Sequence, residues 1–263
     1  MTQRSEIVTL VPAHDPDPAR LRATLASLLA QTMPVDICLI DDGSRQPLAS
    51  PIAHARISIL RLPQNRGVAA ALHAGVDHSL AQGYPYIARL DVGDFAYPHR
   101  MAHQYAHMQA HPDLDLLGAR ARVVDPSGLP LYVFGLPGTK QVLRYLWKNP
   151  PFRHSSFFFR ARAFHRVGNY DPRYGDAEDY EIMRRIARTG AIDCLPEILV
   201  DDLHSPDGLS VTRYRNQLRR RLEIQLAHAA PHAPRFYLGL ARTGVLMLLP
   251  RPLTAALAGL LRR

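Results

Sequence analysis

The stretch YIARLDVGDFAYPHR, residues 86–100, delivers Asp91 and Asp94 just past a short apolar run and ahead of a Pro. Carboxylates presented at the C-terminal end of a strand suit a divalent cation or a phosphate site, because hard cations take oxygen ligands. Asp41 and Asp42 end a second apolar run in VDICLIDDGS, and His14 and Asp15 end a third in EIVTLVPAHD. Farther along, YGDAEDYEIMRRIARTG carries Glu178 and Asp179 at a predicted helix start, where the helix dipole favours anions. Each cluster also has a plain structural account. Asp, Gly and Ser favour turns, Asp94 is a candidate N-cap for the following helix, and acids are common in first helical turns. His99, His103, His107 and His111 form a ladder in steps of four. Each such step drifts about 40° on a 3.6-residue helix, so the four rings cannot converge and a solvated face is expected.

Positioning these groups falls to an alternation of strand and helix signals. EIVTLVPAH, VDICLIDDGS, RISILRLP and YPYIARLD read as strands, and GVAAALHAGVDHSLAQG as a helix. DPARLRATLASLLAQT reads as a helix with Asp17 as N-cap, Pro18 in the first turn, and Leu21, Leu25, Leu28 and Leu29 on one face. In the later helix Asp176 is the expected N-cap, Ile182, Met183, Ile186 and Ala187 the buried face, and Gly190 the stop. Strands separated by helices imply a largely parallel sheet with right-handed crossovers. Functional groups in such sheets gather beyond the carboxyl ends of strands. Here those ends carry PAHD, DDGS and DVGD, which predicts one shared site. No GxGxxG follows the first strand and no GxxxxGK[ST] occurs, so a bound diphosphate would be met by metal or basic side chains.

The chain has 263 residues and 47% hydrophobic residues, enough to bury a sizeable core. Its net charge of +9 predicts anionic partners, such as nucleotide phosphates or an anionic membrane surface. Nearly all the positive charge is Arg, with Lys only at positions 140 and 148. No aromatic stacking motif or zinc spacing supports nucleic-acid binding. Cys38 and Cys194 each lie in an apolar run, which predicts two buried thiols. MTQRSEIVTLVPAHD reaches acid and Pro too soon for a secretory h-region, so a cytoplasmic catalytic body is expected.

Taken in order, VTLVPAHDPDPARLRATLASLLAQT, ICLIDDGS, LPQNRGVAAALHAGV, ARLDVGD, PPFRHSSFFFRARAFHRVGNYD and AEDYEIMRRIARTG resemble inverting family-2 glycosyltransferases, over roughly residues 6 to 215. The resemblance implies an α/β fold of GT-A type, a Rossmann-like mixed sheet flanked by helices over residues 1–215. It implies transfer of a sugar from a UDP- or dTDP-sugar to a hydroxyl of a saccharide or lipid-linked acceptor, in surface polysaccharide or glycolipid biosynthesis. Mn2+ or Mg2+ is the implied cofactor. By the same resemblance Pro12, Ala13, His14 and Asp15 surround the nucleotide, and Asp41 accepts a hydrogen bond from the base. Asp42, Asn65, Arg66 and Arg89 belong to the same site. The family usually has Tyr-Asn where His14-Asp15 stand. Relatives commonly read Asp-x-Asp-Asp after the fourth strand, with the first and third positions on the cation. Gly93 occupies the third position here, which implies a reduced clamp. Asp91 is its first ligand, Asp94 a second if Gly93 turns the backbone, and His204 a further one. Many relatives carry Tyr-Arg where Asp202-Leu203 stand. Asp179 is the implied base, Glu178 its acceptor-binding neighbour, and His154 an acceptor-side residue. A competing reading, drawn from Gly93 and Leu203, is a scaffold or nucleotide-binding protein that keeps the fold and has lost turnover.

Residues 216–263 change character. NQLRRRLEIQLAHA reads as a basic amphipathic helix, and RFYLGLARTGVLMLLPRPLTAALAGLLRR is apolar but broken by Arg242 and Pro250-Arg251-Pro252. These pieces are too short to span a bilayer. Basic residues beside Phe236, Tyr237 and Leu clusters suit a segment lying in the interface. The expectation is a peripheral anchor on the inner face of the plasma membrane. The alternative is a helical pair packed on the catalytic domain or across a homodimer.

Overall fold

A computed structural model describes residues 4–205, 212–229 and 234–249 of the chain. Four apolar runs become parallel strands β1 (Ile7–Ala13), β2 (Asp36–Asp41), β3 (Ile57–Arg61) and β4 (Tyr86–Arg89), in the order β3-β2-β1-β4. Their crossovers run through α1 (Pro18–Leu29) and α2 (Val68–Ala81). The sheet continues past β4 with β8 (Phe158–Arg160), β6 (Leu114–Val124), β9 (Ala191–Leu203) and β5 (Phe95–Ala96), while β7 (Pro130–Phe134) pairs with β6. β8 runs antiparallel to β4 and β6, so the sheet is mixed rather than uniformly parallel.

Strands β1, β2 and β4 are buried on both faces, which is why they read as continuous apolar runs, whereas the edge strand β3 is half exposed. In β1, Val8 and Leu10 face one core with Ala71 and Leu72 of α2, while Ile7 and Val11 face the other with Leu21, Leu25 and Leu28 of α1. Burying each of those leucines contributes roughly 1.5–3 kcal/mol. β8 splits its aromatic run by the same two-residue period: Phe159 packs with the α2 side and Phe158 with the α1 side.

Several helix signals hold. Asp17 caps α1, its side chain accepting from Arg20 N at 2.8 Å, with Pro18 at the first position. α3 (Arg100–Ala110), α4 (Thr139–Tyr145), α5 (Arg162–Val167), α6 (Glu178–Thr189), α7 (Tyr214–Ala227) and α8 (Pro234–Leu248) complete the described helices. Gly190 ends α6, but Asp176 does not start it: Ala177 is the N-cap residue, without a side-chain cap bond, and Asp176 pairs with Arg213 at 3.2 Å. Nor does Asp94 cap α3, whose N-cap is His99. The His ladder breaks into two stacked pairs, with ring centroids 5.9 Å apart for His99–His103 and 4.1 Å for His107–His111, the half-buried His107 meeting Asp193. Cys38 and Cys194 are buried free thiols.

α7 and α8 pack on the α/β body. Arg184 of α6 donates to His228 O at 3.0 Å, Gln225 Nε2 donates to Trp147 O at 3.2 Å, and Thr243 Oγ1 donates to Gln225 Oε1 at 2.9 Å. The tail from Pro250 onward, including Pro250-Arg251-Pro252, lies outside the described residues.

Candidate active site

The parallel register sets Ala13, Asp41 and Arg61 side by side at the strand ends. From there the loops build a cradle by hydrogen bonds. Asp42 accepts from Arg66 N at 2.9 Å and Gly67 N at 2.8 Å, fixing the Asn65-Arg66-Gly67 loop. Asn65 and Arg66 are exposed at its rim. His14 Nδ1 lies 2.9 Å from Asp42 O, and Asp15, at φ +43°, pairs with Arg45 at 2.7 Å. Pro12 and Ala13 form the end of β1 beneath them.

Asp41 takes a different part from the one its motif implies. Its side chain is fully buried, with Oδ1 accepting from Ser44 N at 2.8 Å and Oδ2 from Leu48 N at 3.0 Å and from Arg61. Burial works against the charge, yet these bonds hold the carboxyl below its usual range. With both oxygens engaged, Asp41 shapes the 42–48 loop rather than offering an open acceptor to a base.

Around Asp91 one carboxylate faces outward and the other, Asp94, is folded inward. Asp91 accepts from the buried Arg89 at 2.7 Å and keeps a side chain 42% exposed. Gly93 does turn the backbone, at φ +101°. The turn aims Asp94 into the protein, where it is buried, accepts from Leu203 N at 2.8 Å and meets Ser155 Oγ. Ser155 Oγ also lies 3.1 Å from Asp91 Oδ2. Burial pushes the Asp94 carboxyl well above its usual range, and the charges of Asp202 and Asp91 push it further. His204 is exposed and its backbone N–H extends the sheet to Val124 O. Among the described residues no three His, Cys, Asp or Glu side chains converge on a metal position. Asp94 meets Asp91 through Ser155 Oγ, while His204 lies exposed at the end of β9. The residues still fit a hard cation that keeps water and phosphate oxygens in its shell, since Asp91 offers one open carboxylate amid crowded acids.

The two departures from the family pattern touch each other. A Cβ on Gly93 would lie 2.9 Å from Leu203 Cδ2, so Leu203 fills the space where a third-position side chain would begin.

On the other side of Arg89 stand His154, Tyr170, Glu178 and Asp179. Arg89 Nε and Nη1 are buried without a hydrogen-bond partner. Burial opposes its charge, but Asp91, Tyr170, Glu178 and Asp179 together hold the guanidinium charged. His154 Nε2 lies 2.8 Å from Tyr170 Oη, and its Nδ1 3.4 Å from Glu178 Oε1. Burial, then the Arg89 charge, push the imidazole well below its usual range, so it is neutral. Burial, then the Asp179 charge, push Glu178 up to about 8. Asp179 also rises through burial, but the Tyr180 N–H and the charges of Arg89, Arg221 and Arg153 oppose the rise. Both carboxyls of the pair are thus harder to ionise than in water, and Glu178 keeps its proton up to about 8. Ser155, Tyr170 and Arg153 escaped the sequence reading, although FRHSS and GNYD flagged the segments. Arg153 pairs with Asp202 at 3.1 Å and donates to Tyr132 Oη at 2.8 Å, tying β7 to the cleft.

A family model described as Glycosyl transferase family 2 matches residues 9–168. An uncharacterized glycosyltransferase of Haemophilus influenzae is 28% identical over 193 residues, covering 70% of either chain. The amylovoran biosynthesis glycosyltransferase AmsE of Erwinia amylovora is 28% identical over 220 residues, covering 79% of either chain. Among solved structures, S. aureus TarS 1-349 superposes with a TM-score of 0.67 at 14% identity, over 90% of this chain and 71% of that one. The mannosyltransferase PcManGT from Pyrobaculum calidifontis, solved in complex with GDP-Man and Mn2+, gives 0.61 at 15% identity, over 98% and 75%. The family match spans the strands and loops that carry Asp41, Asp42, Asp91 and Asp94, and with the mixed sheet they share it follows that the chain belongs to glycosyl transferase family 2 and has the GT-A fold.

Proposed function

We propose that the protein is an inverting glycosyltransferase that moves a sugar from a UDP- or dTDP-sugar to a hydroxyl of a saccharide or lipid-linked acceptor. One observation carries the reading: an open Asp91 and the buried Glu178–Asp179 pair share the buried Arg89, whose charge all three carboxyls sustain. The family match ends at residue 168, upstream of α6, so the roles of Glu178 and Asp179 rest on this geometry and on the motif resemblance. Asp179 takes the acceptor hydroxyl proton as the oxygen attacks the anomeric carbon. The new C–O bond forms opposite the bond to the leaving nucleotide diphosphate, so one base suffices. Neutral Glu178 donates a hydrogen bond, either to the acceptor or to His154, and so orients the attacking group. A divalent cation held by Asp91 and the donor phosphates would offset the charge on the departing diphosphate. Asn65 and Arg66, fixed by Asp42, and His14 and Asp15 at the end of β1 form the nucleotide cradle.

Surface polysaccharide assembly suits the resemblance to the amylovoran enzyme. No helix among the described residues is long and apolar enough to cross a membrane, and the exposed apolar residues of α8 support peripheral association with the inner face of the plasma membrane. A nucleotide-binding scaffold is the second reading, favoured by the inward turn of Asp94. Calorimetric titration of UDP and dTDP, with and without Mn2+, tests the donor site, using Asp91→Asn to keep a partner for Arg89. Binding that weakens without Mn2+ and in Asp91→Asn is the expected result, and binding indifferent to both would refute the clamp. Asp179→Asn should bind donor as before yet lose about 100-fold or more in transfer. Equal turnover would remove Asp179 from the base role, and nucleotide binding with no turnover in the unmodified protein would favour the scaffold.

A further inference from the structure

Three cations lie on elements packed together at the seam between α6 and the C-terminal helices, and none forms an ion pair among the described residues, although Asp179 acts on Arg221 from a distance. Lys148 follows α4, Arg221 lies on α7 and Arg242 on α8. The Lys148 ammonium sits over the rings of Tyr145, at 4.3 Å, and Trp147, at 5.9 Å. Arg221 Nε and Arg242 Nη1 are buried with no hydrogen-bond partner. Burial, then the charge of Arg242, lower the Lys148 pKa. Burial and Arg242 also lower that of Arg221, against the pull of Tyr180 and Asp179. Elsewhere arginines have found acids, as Arg122 with Asp201 and Arg185 with Glu181. Here the local sequence offers almost none. No Asp or Glu occurs from Pro126 to Tyr170, and in the described parts of α7 and α8 the acid Glu223 is held by Arg220. Like charges gathered partly out of water without a counter-ion are unfavourable unless an anion completes them.

The cluster adjoins the chemistry. Arg221 lies over the ring of Tyr180 at 5.9 Å, Tyr180 Oη donates to Trp147 O at 3.2 Å, and Tyr180 follows Asp179. The outer face of α8 carries Tyr237, Leu238, Val245 and Leu248, exposed by 56%, 58%, 55% and 87%. At about 100° per residue these four share an arc of about 100°, with Arg242 at its edge. A phosphate bound among the cations would thus have apolar surface beside it, as a lipid-linked phosphate requires.

We propose that Lys148, Arg221 and Arg242 form a second anion site, separate from the donor site at Asp91, which takes the phosphate or diphosphate of a lipid-linked acceptor. The outer face of α8 lies along its hydrocarbon or the bilayer surface. The assignment rests on the glycosyltransferase reading above, since it names the acceptor's class.

Trp147 is the single Trp of the chain and adjoins Lys148, so its fluorescence reports occupancy directly. The full chain, saturated with UDP and Mn2+ to block the donor site, is titrated with farnesyl diphosphate and with inorganic pyrophosphate. Parallel titrations use phosphatidylcholine vesicles with and without phosphatidylglycerol. Farnesyl diphosphate should bind saturably and more tightly than pyrophosphate. Lys148→Gln and Arg242→Gln should each weaken it about ten-fold or more, through loss of one charged hydrogen bond, with UDP affinity unchanged. Arg221→Gln removes a buried unpartnered charge, so it should melt no lower than the unmodified protein while losing the same response. No response to farnesyl diphosphate, or equal affinity in all three variants, overturns the site. A response confined to phosphatidylglycerol vesicles overturns the acceptor assignment in favour of a headgroup. Failure of UDP itself to bind would count against the glycosyltransferase reading, and the farnesyl diphosphate titration without UDP would still decide the anion site.

Discussion

Gly93→Ala is the perturbation that most directly tests why this clamp is reduced. Gly93 holds φ +101°, a region that L residues rarely adopt, and the new Cβ would meet Leu203 Cδ2 at 2.9 Å. The backbone contribution is roughly 1–3 kcal/mol. The contact is with the far end of a flexible side chain, so shifting Leu203 off its rotamer adds about 0.5–1.5 kcal/mol. For a chain of this length each kcal/mol lowers Tm by about 2–4 °C, so a drop of about 3–18 °C is expected in differential scanning calorimetry. Leu203→Ala should relieve only the contact part, giving a coupling of about 0.5–1.5 kcal/mol in the double-mutant cycle. A Gly93→Ala protein that melts with the unmodified one would refute the backbone argument. Full recovery in the double variant would show that Leu203 alone excludes a side chain. The functional corollary is directional: Gly93→Asp gains Mn2+ affinity only when Leu203→Ala has made room.

The proton on Glu178 gives a stability signature. Its carboxyl titrates near 8 in the fold against an ordinary value of 4.5. Between those values the folded state binds the extra proton, so stability falls as pH rises through this window and the loss is complete above about 8. Glu178→Gln should flatten Tm between pH 5 and 8, and an unchanged slope would place the proton elsewhere. Asp41→Ala strands the Ser44 and Leu48 N–H groups, each worth about 1–3 kcal/mol when buried unpaired. It should lower urea stability by about 2–5 kcal/mol, and a loss of UDP affinity at unchanged stability would instead make Asp41 a direct nucleotide contact.

What was legible in the chain was local. Short apolar runs marked β1 and β2, Asp17-Pro18 marked the start of α1, and the ordered acids marked the strand ends where chemistry gathers, because these signals depend on neighbours a few residues apart. The mixed order of the sheet was not legible in the same way, since β8 enters between β4 and β6 through pairings far apart in the chain.

The sequence by itself determined which carboxylates reach the strand ends and the start of α6, and that the C-terminal segment is basic and apolar. Tertiary structure alone decided what each acid does there. Asp41 and Asp94 are drawn inward because backbone N–H groups from distant loops, at Leu48 and Leu203, needed acceptors. Asp91 stays open because buried Arg89 holds it from behind. Glu178 and Asp179, adjacent in sequence, are both raised by burial, with Arg89 opposing the rise at each and Arg153 and Arg221 opposing it at Asp179. Charge and burial are properties of the assembled neighbourhood, and spacing along a chain does not encode them.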